Sequence, residues 1–161
     1  MENYVKTHPW LPGVFFIVAW IIFWSMTNVG YHGPVVLMNE TKYVGTGTWY
    51  NYSTPVKMYS RLEIEVQVEE GGPIDVLCLD NSMYLEYQSY VWGERTTIRT
   101  LESHYNTTSL DCFVMIDWPG EFCLVLNNAV RLPGGAIPVS NARVHVKLTY
   151  ETGFNPPSHT D

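Results

Sequence analysis

The sequence contains few charged residues, and this scarcity limits what the protein can bind. Charged residues make up 16% of the 161 residues, against about a quarter in a typical soluble protein. Lys and Arg together number only 9, and the formal net charge is −7. Because phosphate contacts need clustered basic side chains, we expect no binding to nucleic acid. The same acidity argues against adhesion to an anionic lipid surface.

The sequence also lacks the known signatures of catalysis. It contains no G-x-S-x-G, no H-E-x-x-H, no P-loop and no Cys-x-x-Cys motif, and its five histidines are scattered. We therefore predict no catalytic residue, no cofactor and no metal. Asp75, Asp80, Asp111 and Asp117 flank predicted strands and could meet at a calcium site, but aspartates at such positions more often cap turns. Asp75 lies in an apolar run and, if buried, should be hydrogen-bonded to a backbone turn.

Cysteine is scarce as well, and its odd number excludes complete internal pairing. Cys78, Cys112 and Cys123 each lie in an apolar run that is typical of a strand, which favours buried thiols in the core. An extracytoplasmic domain could instead hold one disulfide. Cys112 and Cys123 lie on the two arms of a predicted hairpin, about 13 Å apart along the ladder. Only Cys78 could then pair, with either of the other two.

Charge is entirely missing from residues 10–29, WLPGVFFIVAWIIFWSMTNV. Twenty helical residues span about 30 Å, the thickness of the hydrocarbon core. We predict a transmembrane helix here that acts as an uncleaved signal anchor, with a cleaved signal peptide as the alternative. Aromatic side chains that could pack against other membrane helices, or face lipid, are Phe15, Phe16, Trp20, Phe23 and Trp24.

The orientation of this segment follows from charge and from glycosylation motifs. Lys6 precedes the segment and no Lys or Arg follows it until Lys42, so residues 1–9 should be cytoplasmic. Three Asn-x-Ser/Thr sequons follow it, at Asn39, Asn51 and Asn106. Such sequons accept N-linked glycans only on the outer or luminal side. We predict a single-pass protein of the cell membrane or an endomembrane, with its C-terminal domain outside.

After the membrane segment the sequence has the character of a β protein. Gly and Pro residues predict a linker at 30–42, and a Pro pair predicts a flexible tail at 152–161. Between them, residues 43–151 contain seven or eight short alternating runs, with turn residues every 8–12 positions. This spacing predicts a mainly β fold, an antiparallel β-sandwich.

Individual elements of the outer domain can be predicted from their periodicity. The predicted elements are strands at 43–52, 61–69, 74–79, 96–101 and 142–150, a hairpin of 112–118 with 121–127, a helix at 81–90, and loops at 103–109 and 130–139. Residues 61–69 alternate almost perfectly, so one face should be buried. Residues 74–79 are mostly apolar and could be buried on both faces. Asp80 or Asn81 should cap the helix.

Two of these strands carry short motifs that resemble a known family. The matching residues are Ile74, Asp75, Val76, Asp80, Gly120, Phe122, Val125, Asn127 and Asn128. With the Tyr-rich helical turn between them, they resemble the GOLD (Golgi dynamics) domain and its archaeal membrane-anchored relatives, over residues 62–151. The resemblance implies a jelly-roll-like sandwich, a protein- or ligand-binding role and an archaeal source. The chain departs from the vesicle-traffic members in its N-terminal anchor and in having no coiled coil or C-terminal helix, so a cargo-receptor role is not implied.

These observations together predict a non-catalytic single-pass membrane protein. Its outer sandwich should mediate protein interactions, as an accessory or structural subunit beside other membrane-protein subunits in the lipid bilayer. The alternative is a membrane-anchored module that binds glycans or lipids. Its exposed aromatic residues would be Trp49, Tyr50, Tyr87 and Trp92.

Overall fold

The computed structural model describes residues 32–129 and 132–153. The predicted membrane segment at 10–29, residues 1–9, which were predicted to be cytoplasmic, and most of the predicted tail lie outside these residues. Within the described part, no helix is both long enough and apolar enough to cross a membrane.

Eight strands and one helix form the described domain. In chain order they are β1 (His32–Val44), β2 (Thr48–Val56), β3 (Ser60–Glu70), β4 (Ile74–Asp80), α1 (Asn81–Val91), β5 (Glu102–Thr107), β6 (Ser109–Ile116), β7 (Gly120–Asn128) and β8 (Ala142–Thr152). Sheet A has the strand order β1-β8-β3-β6 and sheet B the order β2-β7-β4-β5. All pairings between neighbouring strands are antiparallel, so the prediction of a mainly β fold with two antiparallel sheets is confirmed.

The main core lies between the two sheets. Alternate residues of β3 (Leu62, Ile64 and Val66) pack in one cluster with Leu124 and Leu126 of β7. Each such side chain contributes roughly 2 kcal/mol when it is fully buried. The alternation seen in the sequence of β3 therefore marks its inner face, and the intervening Glu and Gln residues lie outward.

A second apolar layer covers the outer face of sheet B. It consists of Leu77 and Leu79 of β4, Cys123 and Val125 of β7, Tyr87 of α1, and Leu132. Because α1 and the loop around Leu132 cover this face, β4 and β7 are buried on both sides. The expectation that residues 74–79 are buried on both faces is confirmed.

Helix α1 begins at the predicted cap. The Asp80 carboxylate accepts hydrogen bonds from the Met83 N–H and the Ser82 hydroxyl, each at 2.7 Å. This contact satisfies a backbone donor that the first helical turn leaves without a partner. On the helix surface, Glu86 forms ion pairs with Arg95 and Arg99 of the segment that returns to sheet B.

The predicted linker at 30–42 differs from the structure, because strand β1 already begins at His32. Met38 and Val44 are buried in the main core, so this segment belongs to the sandwich. Its Gly33–Pro34 pair coincides with a register shift at the start of the strand. A bulge on an edge strand is a position where Pro is tolerated.

Two further predictions were wrong in detail. Residues 96–101 are irregular, and β5 lies instead at 102–107, almost entirely within the stretch 103–109 that was predicted as a loop. The open edge of β4 pairs with this stretch although its residues have weak strand propensity. The predicted hairpin does not form, since β6 belongs to sheet A and β7 to sheet B. Their connection at 117–119 crosses between the sheets.

The chain connections define two ends of the sandwich. The entry end, where β1 begins, holds the β2–β3 turn (57–59) and the β6–β7 turn (117–119). There Thr152 pairs with both His32 and Ser60. The opposite, distal end holds the β1–β2 turn, the β3–β4 turn and the loop between β7 and β8.

Candidate functional site

The three sequon asparagines all lie on the surface. Asn39 is exposed on β1, Asn51 on β2 and Asn106 near the end of β5. Exposure is what transfer of a glycan to the side-chain amide requires. The residues predicted to pack within the membrane, which include Phe16, Trp20, Phe23 and Trp24, lie outside the described part of the chain.

The four aromatic residues predicted as a glycan- or lipid-binding set do not form one exposed surface. Tyr87 is fully buried, and its hydroxyl donates a hydrogen bond to Asn127 Oδ1 at 2.8 Å. Trp49 is half-buried against it, edge to face, with ring centroids 5.8 Å apart. Tyr50 packs against the main core, and only Trp92 is largely exposed. The expectation of an exposed Tyr87 was wrong, because α1 turns this residue towards sheet B.

Asp75 is the centre of a buried polar network. Its carboxylate accepts hydrogen bonds from the backbone N–H groups of Asn106 (2.9 Å) and Ala136 (2.7 Å), and from Asn127 Nδ2 (3.1 Å). The prediction that a buried Asp75 would be held by a backbone turn is confirmed. Burial also raises the pKa of Tyr87, which closes the network through Asn127, well above its usual range.

This network explains why a glycine occupies position 135 in the loop between β7 and β8. A Cβ on Gly135 would collide with the Asp75 carboxylate, so a glycine lets the Ala136 N–H approach the buried charge. Because two of its donors belong to β5 and to the distal loop, the carboxylate joins these segments to β4. We assign it a structural role.

The cysteines occupy two different layers. Cys78 faces the main core, against which Cys112 also packs, whereas Cys123 lies in the outer layer beneath α1. No disulfide joins them. Burial raises the pKa of the Cys78 thiol well above its usual range and that of Cys112 to about 11. Because Cys78 and Cys123 lie on opposite faces of sheet B, the alternative pairing of these two is excluded by the pleat.

The four aspartates considered as a calcium site do not form one. Asp75 and Asp80 are committed to backbone groups at the two ends of β4. Among residues 32–129 and 132–153, no three His, Cys, Asp or Glu side chains are grouped so that they could hold a metal ion.

The strongest candidate for a functional surface is on the outer face of sheet A. Strand β6 exposes Phe113 and Met115, with 57% of Phe113 accessible, while Val114 and Ile116 face the core. The Arg61 guanidinium lies 4.7 Å from the centre of the Phe113 ring, a cation–π arrangement. We call Arg61, Phe113 and Met115 the β6 surface.

Charged pairs surround this apolar centre. On the same face Arg61 pairs with Glu63 at 3.3 Å and Lys147 with Glu65 at 2.5 Å. Beside them is a shallow depression of about 200 Å³, lined by Glu65, Val66, Gln67, Ser109, Leu110, Asp111 and His145. An apolar centre within a polar rim is the usual anatomy of a protein interface.

Strand β6 is also an edge strand, which adds a second recognition element. In the described part of the chain it pairs only with β3. The outward backbone edge of such a strand can accept a strand from another protein. Sequence reasoning missed this surface because it placed residues 112–118 in a hairpin with β7. The alternation of Phe113 and Met115 was visible, but the face and the edge position depend on the sheets.

Comparisons with known proteins do not identify a family. No protein-family model matches the sequence, and no curated protein matches it significantly.

Proposed function

We propose that the chain is a non-catalytic, single-pass membrane protein whose outer sandwich binds a protein partner through the β6 surface. It would act as an accessory or structural subunit of a membrane complex. The observation that carries this proposal is the exposure of Phe113 and Met115 on an edge strand, beside the Arg61 guanidinium.

The chemistry of this surface favours a protein over a small ligand. The depression beside it is shallow, and the exposed side chains are spread along a strand rather than converging on a cavity. Aromatic, Met and Arg side chains are the types enriched at the centres of interfaces. A partner strand or loop that covers Phe113 would remove its apolar area from water and could continue the ladder of sheet A.

The membrane part of the proposal rests on the sequence. Residues 10–29 are uncharged and long enough to span a bilayer. The three sequon asparagines after them are exposed, which is consistent with an outer or luminal domain and a cytoplasmic N-terminus.

A GOLD-like identity is part of the same proposal. The two motifs that suggested it occupy adjacent strands, β4 and β7, in which Asp75 lies directly opposite Asn127. The buried hydrogen bond between these side chains gives the two motifs a shared structural purpose. A glycan- or lipid-binding role has less support, because Tyr87 is buried and Trp49 and Tyr50 are half-buried.

The test is co-purification of the full chain, tagged and extracted from its own membranes in mild detergent. We expect a stoichiometric membrane-protein partner to accompany the wild-type chain, and Phe113→Glu to abolish the association. Tyr43→Glu is the matched control, since Tyr43 is 74% exposed on β1, the opposite edge strand of the same sheet. A chain that purifies alone as a monomer and binds a glycan array would refute the proposal.

A further inference from the structure

A second exposed apolar surface lies at the entry end of the sandwich. Val35 and Val36 near the start of β1, and Met58 and Tyr59 in the β2–β3 turn, are large apolar side chains exposed to solvent; Val36 is 54% exposed and Tyr59 48%. We call these four residues the entry-end rim. The half-buried Trp118 of the β6–β7 turn lies at the same end.

The turn that presents half of this rim is held in a fixed shape. The Lys57 N–H donates a hydrogen bond to the Tyr150 hydroxyl at 3.0 Å, and the Ser60 hydroxyl donates one to the Lys57 carbonyl at 2.6 Å. Tyr150 is also the strand partner of Val35, so it connects the two halves of the rim. The backbone that presents Met58 and Tyr59 is therefore held in one conformation.

Tyr59 adopts a backbone conformation that an aromatic residue rarely has. Its φ is +58°, in the left-handed region, which costs a residue other than glycine about 1 kcal/mol. Gly or Asn would fit this turn with less strain. Strained residues of this kind cluster at functional sites, which agrees with a role for the exposed Tyr59 side chain.

The chain length between the hydrophobic segment and the sandwich limits where the entry end can be. The uncharged segment ends at Val29 and β1 begins at His32. Three residue steps span at most about 10 Å. If residues 10–29 cross a bilayer, as the proposed function requires, the start of β1 cannot be further than this from the membrane surface.

From these observations we propose that the entry-end rim rests in the interfacial layer of the lipid bilayer. Tyr and Trp side chains favour the headgroup region, and the neighbouring apolar side chains would lose water there. Because the chain is acidic overall, the lipid chemistry that fits is a zwitterionic headgroup layer rather than an anionic one. The rim supplies contact, while the anchor supplies most of the membrane affinity.

The positions of the sequons agree with this placement. Asn39 and Asn51 lie within the lengths of β1 and β2, and Asn106 lies near the distal end. None of the three is in an entry-end turn, where a glycan would separate the rim from lipid.

The test measures how deeply single positions lie in the membrane. Full-length chains with Met58→Cys or Val36→Cys are labelled with an environment-sensitive fluorophore and reconstituted into phosphatidylcholine vesicles. The matched control is Val139→Cys, which is 72% exposed in the loop at the distal end. Wild-type protein taken through the same labelling corrects for reaction at the half-buried Cys112.

We expect probes at positions 58 and 36 to be blue-shifted, quenched by nitroxide-labelled acyl chains, and several-fold less accessible to iodide than the probe at 139. Equal iodide access and no nitroxide quenching at all three positions would overturn the proposal. Flotation of the same vesicles distinguishes failure of the rim contact from failure of the membrane anchor. A chain that floats with exposed probes contradicts only the rim contact, whereas a chain that does not float contradicts the membrane anchor as well.

Discussion

The carboxylate of Asp75 and the side-chain amide of Asn127 face each other across the paired strands β4 and β7, and Asn127 Nδ2 donates a hydrogen bond of 3.1 Å to Asp75 Oδ2. Both side chains are buried. A buried carboxylate is stable only when its oxygens accept enough hydrogen bonds to replace the water it has lost. The same carboxylate therefore depends on the distal loop and on β5 for its other two donors.

Removal of this carboxylate should destabilise the domain strongly. Asp75→Ala removes the buried acceptor of the N–H groups of Asn106 and Ala136, together with its hydrogen bond from the Asn127 amide. We expect the free energy of unfolding to fall by about 3 kcal/mol, measured by urea denaturation. Asp111→Ala, at an exposed position on β6, is the control and should change stability little. Similar losses for the two variants would show that the network contributes nothing.

The close approach of Gly135 to Asp75 predicts that no side chain larger than that of glycine fits at position 135. Gly135→Ala would drive a Cβ into the buried carboxylate, and we expect a loss of about 2 kcal/mol, as for other overpacked sites. Gly72→Ala is the matched control, because its Cβ would come no nearer than 3.4 Å to Val139. The measurement is the urea midpoint of each variant. A Gly135→Ala midpoint equal to that of Gly72→Ala would contradict the packing argument.

The half-buried Cys112 predicts a loss of stability at alkaline pH. Desolvation, with the Glu102 and Asp111 carboxylates, raises the pKa of this thiol from 9.0 to about 11. Since the folded state favours the neutral thiol, this contribution is fully present below pH 9 and is lost as the pH rises to 11. In urea titrations across this range, Cys112→Ser should show a flatter decline than the wild-type protein. Parallel declines would argue against a raised thiol pKa.

The sequon at Asn106 is best tested by replacing its third residue, Thr108, rather than Asn106 itself. Asn106 has a φ of +54°, and its N–H binds Asp75, so replacing Asn106 itself would disturb the fold, since Asn tolerates the left-handed region better than most residues. Thr108→Ala removes the sequon at an exposed position instead. In a glycosylating host we expect this variant to lose one endoglycosidase-sensitive mobility shift without a change in thermal stability. An unchanged glycan count would mean that Asn106 is not modified.

Much of the local structure could be predicted from the sequence. The alternation at residues 61–69 and the run at 74–79 correspond to β3 and β4, and Asp80 caps α1. These features depend on interactions between residues near in sequence or on which face is apolar. Periodicity and capping chemistry report both directly.

The pairing partners were decided only by the tertiary structure. Residues 102–107 form β5 because they pair with the open edge of β4. Residues 32–44 form β1 because they pair with β8 and pack on the core. The turn at 117–119 has the composition of a hairpin but connects two sheets. A two-residue period shows which side chains share a face and contains no information on which strand lies alongside.

The candidate functional surfaces also depend partly on the sequence alone and partly on the tertiary structure. The hydrophobic segment, the sequons and the acidic charge are properties of the sequence alone, and they determined the expectation of an anchored outer domain. That Phe113 lies on an open edge, that Tyr87 is buried, and that Tyr59 shares an end with the start of β1 were decided by long-range packing. Exposure depends on what the rest of the chain covers, and that is settled only when both sheets have assembled around their common core.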